Sequence, residues 1–154
     1  MKVILDTSAI IYLSNFSQFE EIILPKKVLE EVKDEFSKLK LSIFENAKIL
    51  EAGKKELEEV KKIAKNTGDL SKLSQTDLEI LALAKKFKYI IISDDHNIQN
   101  LAKKMGLKFL SIFNPSIKKF IKWKNFCKMC KKFYENDKEV CEICGSKLIK
   151  IPYC

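Results

Sequence analysis

The sequence predicts an α/β fold, in which a doubly wound parallel sheet is followed by a small cysteine-rich module. Two observations support this prediction. Short apolar runs alternate with helical patterns between Lys2 and Leu110, and that alternation is typical of parallel strands joined by helices on both faces of a sheet. Two Cys-x-x-Cys pairs then fall within residues 127–144. We find no internal repeat.

Five apolar runs are predicted to be the strands of the sheet, because each is short and bounded by polar or turn-forming residues. In chain order they are Lys2–Leu5, Ile22–Leu24, Ala47–Glu51, Tyr89–Ile92 and Leu107–Leu110. Helices are predicted over Ala9–Leu13, from Pro25 to about Leu39, over Lys54–Lys65, from Ser74 to Phe87, and after Asp95 to Lys104. Pro25 suits the first turn of a helix, where its missing N–H is not needed.

Charge is distributed unevenly along the chain. The net charge is +8, yet residues 1–100 carry 16 Lys against 17 Asp and Glu, whereas residues 101–154 carry 13 Lys against 4. A near-neutral body with a basic C-terminal part indicates a polyanionic partner, since lysines that contact phosphates release condensed counterions. The chain has no arginine, so lysine point charges must make those contacts.

The sequence argues against membrane and secreted classes of protein. No apolar run approaches the roughly 20 residues that a membrane helix requires. Met1–Leu5 leads directly into Asp6 without the apolar segment of a signal peptide. We therefore expect a cytoplasmic protein without a membrane partner. A glycine-rich phosphate loop and a Ser–His–Asp arrangement are both absent from the sequence.

Cys127, Cys130, Cys141 and Cys144 form two Cys-x-x-Cys pairs separated by ten residues. Two such pairs facing each other provide the closed tetrahedral sulfur site that a structural Zn²⁺ prefers. Two disulfides or a redox pair are the alternatives, and a chain without a signal peptide disfavours disulfides. We therefore predict a compact zinc ribbon.

Three aspartates directly follow predicted strands. Asp6 stands just past the first strand, and Asp94 and Asp95 stand just past the Tyr89–Ile92 strand. In open parallel sheets, ligands bind in the crevice at the carboxyl ends of the strands, where these carboxylates could converge. Helix N-capping is the alternative, and for any one of these positions alone it is the better-supported interpretation.

Asp77 has two interpretations that the sequence leaves open. It lies three, four and seven residues before Ile80, Leu81 and Ala84, so it shares their apolar face and points toward the core. A carboxylate there is costly unless it is paired or bound to a metal ion. The alternative is a capping box formed with Ser74.

Glu31 borders the apolar stripe of the Pro25 helix, whereas Glu30 points away from it. Glu31 could therefore lean toward the crevice, and Glu35, one turn further along, is its rival for that position. From the stripe alone, the better-supported interpretation of Glu31 is an ordinary exposed acid on a helix. The chain contains a single histidine, which leaves carboxylates as ligands for a catalytic metal ion. Carboxylates favour Mg²⁺ or Mn²⁺, which lower the pKa of bound water and hold phosphoryl oxygens.

Several segments together resemble the PIN-domain ribonucleases. They are V-I-L-D-T-S-A-I at 3–10, the acidic helix after Pro25, S-Q-T-D-L-E-I-L-A-L-A at 74–84 and I-I-S-D-D at 91–95. The resemblance covers roughly residues 1–112. T-G-D-L-S-K-L at 67–73 and the following cysteine ribbon are similar to one branch, the archaeal and eukaryotic endonucleases that cut precursor small-subunit rRNA at its 3′ end.

This resemblance implies a PIN-like sheet with strand order 3-2-1-4-5. It also implies a catalytic quartet of acids, which falls on Asp6, Glu31, Asp77 and Asp95. Asp6, Asp77 and Asp95 would hold Mg²⁺ or Mn²⁺, with Asp94 as an alternate or additional ligand.

Lysines are interleaved with aromatic residues in the segment before the cysteines. Lysines can follow an RNA backbone while aromatic rings stack on unpaired bases. On this basis five residues are predicted to contact RNA: Lys118, Lys119, Lys122, Trp123 and Lys124. The alternative is that aromatic residues such as Phe120 and Trp123, three apart, anchor the tail on the larger domain, and this interpretation is the favoured one for Phe120 and Phe126.

The predicted organisation is a PIN nuclease domain over residues 1–112, a basic aromatic linker over 113–126 and a zinc ribbon over 127–154. The predicted function is a metal-dependent, single-strand-specific endoribonuclease. Its expected substrate is precursor small-subunit rRNA or the pre-ribosomal particle, cut at the rRNA 3′ end in ribosome biogenesis. A toxin-type PIN ribonuclease on tRNA or mRNA is one alternative, although such toxins usually lack a ribbon. A catalytically silent RNA-binding assembly factor is the other.

Overall fold

The computed structural model describes residues 1–13, 15–32, 46–113, 120–135 and 138–153. A larger sheet is built from β1 Lys2–Leu5, β2 Glu21–Pro25, β3 Ala47–Leu50, β4 Ile90–Ile92 and β5 Phe109–Leu110. These strands pair in parallel in the order β3-β2-β1-β4-β5. The predicted fold class and the strand order 3-2-1-4-5 are confirmed.

Helices connect the strands within the described ranges. Their bounds are α1 Thr7–Tyr12, α2 Lys26–Glu31, α3 Lys54–Thr67, α4 Gln75–Phe87 and α5 His96–Lys104, with a short 3-10 helix at Leu70–Lys72. Helix α2 has Val32 as its C-cap. Its predicted continuation to Leu39, with the rival acid Glu35, falls in residues 33–45, outside the described residues. No helix in the described ranges is long and apolar enough to cross a membrane.

Strands β1 and β4 lie at the centre of the larger sheet. Val3, Ile4 and Leu5 are completely buried, as is Ile91 of β4, and near-continuous apolar runs are what a parallel strand covered on both faces requires. The chain moves from β1 outward to β2 and β3, then returns to β4 on the other side of β1. The carboxyl ends of β1 and β4 therefore flank the crevice where this kind of sheet binds ligands.

A smaller antiparallel sheet follows, with the order β7-β6-β8 and the bounds β6 Lys122–Cys127, β7 Lys132–Tyr134 and β8 Ile149–Tyr153. Its central strand includes residues 122–126 of the predicted linker. Its buried apolar cluster contains only Cys127, Cys141 and Leu148 among the described residues. A core of that size supplies little hydrophobic stabilisation, and small modules of this kind commonly add a metal ion or disulfides.

The two sheets meet along the segment that enters β6. The Asn100 amide of α5 donates to the Ile121 carbonyl at 2.8 Å and accepts from the Ile121 N–H at 2.7 Å. Gly68, just after α3, lies against the backbone of Trp123, and Lys72 Nζ lies over the Trp123 ring. These contacts attach the smaller sheet to the larger one.

Candidate active site

Acidic side chains line a cleft of about 750 Å³ at the carboxyl edge of the larger sheet. It contains carboxylates from the ends of β1 and β4 and from helices α2 and α4: Asp6, Glu31, Asp77, Asp94 and Asp95. The described residues that line it include no lysine. The acids predicted from the sequence are thus brought together in one cleft, although their roles in catalysis stay predictions.

Asp6 is both a helix N-cap and a lining residue of the cleft, the two positions that the sequence left open for it. It is the N-cap of α1, where its Oδ1 accepts from the Ala9 N–H and the Ser8 hydroxyl, both at 2.7 Å. It also lines the cleft and is only 6% exposed. Burial raises the pKa of Asp6, and the neighbouring charge of Asp95 adds to the rise, against hydrogen bonds that lower it, the strongest from Ser93.

The two aspartates after β4 have different hydrogen-bond partners. Asp95 is the N-cap of α5 and accepts from the Asn97 N–H at 2.7 Å. Asp94 instead accepts from the backbone N–H groups of Ile112 at 2.5 Å and Phe113 at 3.1 Å. Asp94 therefore holds the segment after β5 against the cleft, while Asp95 orients α5.

Asp77 forms the predicted capping box and also lines the cleft. Its Oδ2 accepts from the Ser74 N–H at 2.8 Å, and its own N–H donates to Ser74 Oγ at 3.1 Å. Burial raises the pKa of Asp77, and the charges of Asp95 and Glu31 contribute to the rise. The two interpretations of this residue are compatible, since the cap fixes the carboxylate at the mouth of the cleft.

Glu31, the last residue of α2, is held by two hydroxyl groups. Thr7 Oγ1 donates to its Oε2 and Thr76 Oγ1 to its Oε1, each at 2.6 Å. Glu30 is exposed and does not line the cleft. Sequence reasoning did not identify Thr7 or Thr76, and the only local signal is that each directly neighbours one of the cleft aspartates.

The donor set of the cleft suits a divalent cation. It consists of carboxylate oxygens, the ligands that Mg²⁺ and Mn²⁺ prefer. The raised pKa values of Asp6 and Asp77 reflect burial and mutual repulsion of negative charge, which a bound cation would relieve. These carboxylates are less closely grouped than the cysteine sulfurs described next.

The four cysteine sulfurs form a second candidate metal site. All four ligand atoms lie within 4.8 Å of one another. Backbone N–H groups of Cys130 and Ile143 donate to Cys127 and Cys141 sulfurs at 3.4 Å, as in a Cys-x-x-Cys knuckle. A hydrogen bond with the Tyr134 hydroxyl lowers the pKa of Cys141 to about 6, whereas a hydrogen bond with Cys144 and burial raise the pKa of Cys130 to about 12. The close grouping of the four sulfurs is what allows the cluster to hold a metal ion.

The residues predicted to contact RNA fall into two groups. Lys118 and Lys119 lie outside the described residues. Lys122, Trp123 and Lys124 begin β6, and strand alternation places the two lysines on the face opposite Trp123. The Lys72 ammonium lies 2.8 Å from the centre of the Trp123 ring, so this ring also anchors the smaller sheet. Contact of these residues with RNA stays a prediction.

Phe120 and Phe126 both pack within the protein, but only Phe120 lies against the larger domain, as the alternative interpretation expected. The Lys104 ammonium lies 5.5 Å from the centre of the Phe120 ring, on the side of α5. The Phe126 ring lies 5.0 Å from that of Phe133 in β7. Phe120 therefore contacts the larger domain, whereas Phe126 packs inside the small sheet.

Comparisons with known proteins agree with this architecture. The family described as the PIN domain of ribonuclease matches residues 3–87. Endoribonuclease Nob1 of Pyrococcus abyssi is 38% identical over 99% of this chain and 94% of its own length. Endoribonuclease Nob1 of Methanocaldococcus jannaschii is 40% identical over 96% of this chain and 77% of its own. Ribonuclease VapC1 of Thermoplasma acidophilum is 36% identical over 94% and 75%. The chain belongs to the Nob1 family of PIN-domain endoribonucleases.

Proposed function

We propose that this protein is a metal-dependent endoribonuclease that cleaves single-stranded precursor small-subunit rRNA at its 3′ end during ribosome biogenesis. The observation that carries the proposal is the convergence of Asp6, Glu31, Asp77 and Asp95 in one cleft at the carboxyl edge of the sheet. The similarity to Nob1 endoribonucleases along nearly the whole chain supports the same conclusion.

Asp6, Asp77 and Asp95 are proposed to hold Mg²⁺ or Mn²⁺. A bound cation of this kind supplies Lewis-acid stabilisation of phosphoryl oxygens and lowers the pKa of a coordinated water. Glu31 completes the negative site and is kept in place by the Thr7 and Thr76 hydroxyls.

Asp94 is proposed as an additional ligand only. Its oxygens already accept backbone N–H groups of the segment after β5, which leaves less of the carboxylate for a cation than the other acids retain. Its main contribution is therefore to the shape of the cleft.

The size of the cleft favours single-stranded substrate. About 750 Å³ lies in the range of pockets that hold one small ligand, such as a nucleotide. A base paired within a duplex is not separately available to such a cleft, whereas an unpaired nucleotide can enter it.

The C-terminal part is proposed to supply affinity for RNA. The cleft is acidic and repels phosphates, whereas the net positive charge of the chain lies entirely within residues 101–154. Lys118, Lys119, Lys122 and Lys124, with Trp123, are the proposed contacts. The boundaries at residues 112 and 126 are proposed as the domain limits, although strand β6 already places residues 122–126 in the smaller sheet.

Zinc is proposed for the four-sulfur cluster, because four thiolates form the closed tetrahedral site typical of structural zinc. Such a site needs reduced thiols, which the cytoplasm maintains. A cytoplasmic location is therefore part of the proposal.

The test is incubation with precursor small-subunit rRNA, with and without Mn²⁺, and mapping of the new ends at single-nucleotide resolution. We expect metal-dependent cleavage at the mature 3′ end. Asp6→Asn keeps the capping ability of the residue but should lower cleavage by orders of magnitude. Glu31→Gln should impair cleavage, and the matched control Glu30→Gln should not.

Two outcomes would support the alternatives. Cleavage of tRNA or mRNA in preference to precursor rRNA would favour the toxin-type alternative. Specific binding of precursor rRNA without cleavage, with Mg²⁺ or Mn²⁺ present, would favour a silent assembly factor.

A further inference from the structure

Two exposed aromatic rings stand at the rim of the acidic cleft. Tyr12 is 57% exposed and Phe113 is 70% exposed, and both line the cleft. Their ring centres lie 5.4 Å apart with an interplanar angle of 79°, an edge-to-face pair. Large apolar side chains grouped on a surface beside a site commonly mark a binding contact.

Both rings are fixed relative to the cleft acids. Tyr12 is the last residue of α1, the helix that Asp6 caps. The backbone N–H of Phe113 donates to the Asp94 carboxylate, at 3.1 Å to Oδ2 and 3.3 Å to Oδ1, and the adjacent Ile112 N–H donates to Oδ1. The position of the pair is therefore set by two of the aspartates.

RNA that enters this cleft gains little from direct electrostatic attraction. Five carboxylates line the cleft, and the described lining residues include no lysine. Contacts that hold a nucleotide beside the acids must then come from bound cations and from uncharged groups. Stacking of a base on an aromatic ring is such a contact, and it tolerates any base because every base has a flat π-face.

The geometry of the pair leaves room for a base. In an edge-to-face arrangement the edge of one ring meets a face of the other, so the remaining faces stay available. The high exposure of both rings agrees with this, since a ring that packs within the protein would be largely covered.

We propose that Tyr12 and Phe113 form a stacking platform for an unpaired RNA base beside the scissile phosphate, and that Asp94 positions this platform. The inference rests on the proposed function, because it assumes that RNA is the substrate of the adjacent acids. It assigns Asp94 a positioning role through the backbone of residues 112–113, in addition to the metal binding proposed above.

The test compares two short single-stranded oligoribonucleotides that carry the cleavage site, one intact and one lacking the base next to the scissile phosphate. Affinity is measured by fluorescence anisotropy with Ca²⁺, and cleavage is measured with Mn²⁺. Tyr12→Ala and Phe113→Ala should each weaken binding of the intact oligomer roughly 5- to 150-fold, the range for loss of one stacked base. The wild type should bind the intact oligomer more tightly than the abasic one. Tyr12→Ala and Phe113→Ala should each lose this difference in affinity.

Phe87→Ala is the matched control, because Phe87 is also an exposed aromatic residue but does not line the cleft. It should retain the wild-type preference for the intact oligomer. Phe113→Tyr should retain it too, because the ring is kept. Asp94→Ala should also lose the preference for the intact oligomer, because residues 112–113 lose the carboxylate that holds their backbone N–H groups.

The proposed stacking platform would be overturned if Tyr12→Ala and Phe113→Ala preferred the intact oligomer as strongly as the wild type does. An Asp94→Ala variant that keeps the wild-type preference for the intact oligomer would overturn the positioning role of Asp94. A wild type that cleaves no RNA would overturn the proposed function instead, and the binding measurements would still decide whether the rings hold a base.

Discussion

Replacing Gly68 by alanine is expected to separate the smaller sheet from the larger one. Gly68 is the C-cap of α3 with φ +82°. A Cβ at this position would lie 2.3 Å from the Trp123 carbonyl oxygen and 2.9 Å from the Trp123 Cβ. Because the nearest obstacle is backbone rather than the end of a flexible side chain, the strand that carries Trp123 must move.

Gly106→Ala is a matched control for the backbone strain. Gly106 also follows a helix, with φ +70°, yet a Cβ there meets nothing within 4 Å. The left-handed conformation costs an L-residue about 1–2 kcal/mol. Alanine also lowers the conformational entropy of the unfolded chain, which stabilises the folded state by about 0.4–1 kcal/mol. The control should therefore lose about 0–1.5 kcal/mol of unfolding free energy.

Gly68→Ala should lose more unfolding free energy than Gly106→Ala, because the clash with Trp123 breaks the contacts between the two sheets. Two hydrogen bonds between Asn100 and Ile121 are worth about 0.5–1.5 kcal/mol each, and the Lys72–Trp123 contact is worth about 0.5–1 kcal/mol. The additional loss relative to the control is then about 1.5–4 kcal/mol.

The assay uses urea unfolding together with native-state fluorescence, since Trp123 is the only tryptophan in the chain. Gly68→Ala should shift the tryptophan emission to longer wavelength before unfolding, whereas Gly106→Ala should match the wild type. Equal stability of the two variants, with unchanged emission in both, would refute the inferred contact between the sheets.

Three further predictions concern the metal cluster, a buried acid and a threonine. Elemental analysis should find one zinc per chain, and removal of zinc should abolish hydrogen-exchange protection in β6–β8 but not in β1–β5; retained protection would contradict a structural metal. Glu79 is 1% exposed and accepts from the Lys27 N–H at 3.3 Å. Burial raises the pKa of this carboxyl in the folded protein. The unfolded chain therefore ionises Glu79 more readily, and the wild type loses stability as pH rises through the raised pKa. Glu79→Gln removes this loss; it should be at least as stable as wild type in thermal unfolding at pH 7, with the advantage gone below the ordinary value of 4.5. Thr76→Val releases one oxygen of Glu31 and should lower cleavage roughly 10- to 100-fold, as misplaced catalytic groups do; cleavage at the wild-type rate would exclude a positioning role for this hydroxyl.

Local features of the sequence determined the elements and the candidate acids. The apolar runs became strands because parallel strands buried on both faces need them. The cap at Ser74 and Asp77 and the knuckles of the Cys-x-x-Cys pairs join residues three apart, so their geometry follows from the local chain. The family pattern then placed the acids in one order along the chain.

Tertiary structure decided which of these groups face each other. Glu31 is held by Thr7 and Thr76, which are 24 and 45 residues away. No local pattern specifies such partners, because they meet only once α1, α2 and α4 have packed at the same edge of the sheet.

Tertiary contacts also give Asp94 and Asp95 different surroundings, and they do the same for Trp123 and its neighbouring lysines. Two adjacent aspartates read alike in sequence, but the pairing of β4 with β5 brings Phe113 within reach of Asp94 alone. The pleat of β6 likewise turns Trp123 toward Gly68 while Lys122 faces the other side. Distant contacts made by folding, rather than residue type, assign these side chains their surroundings.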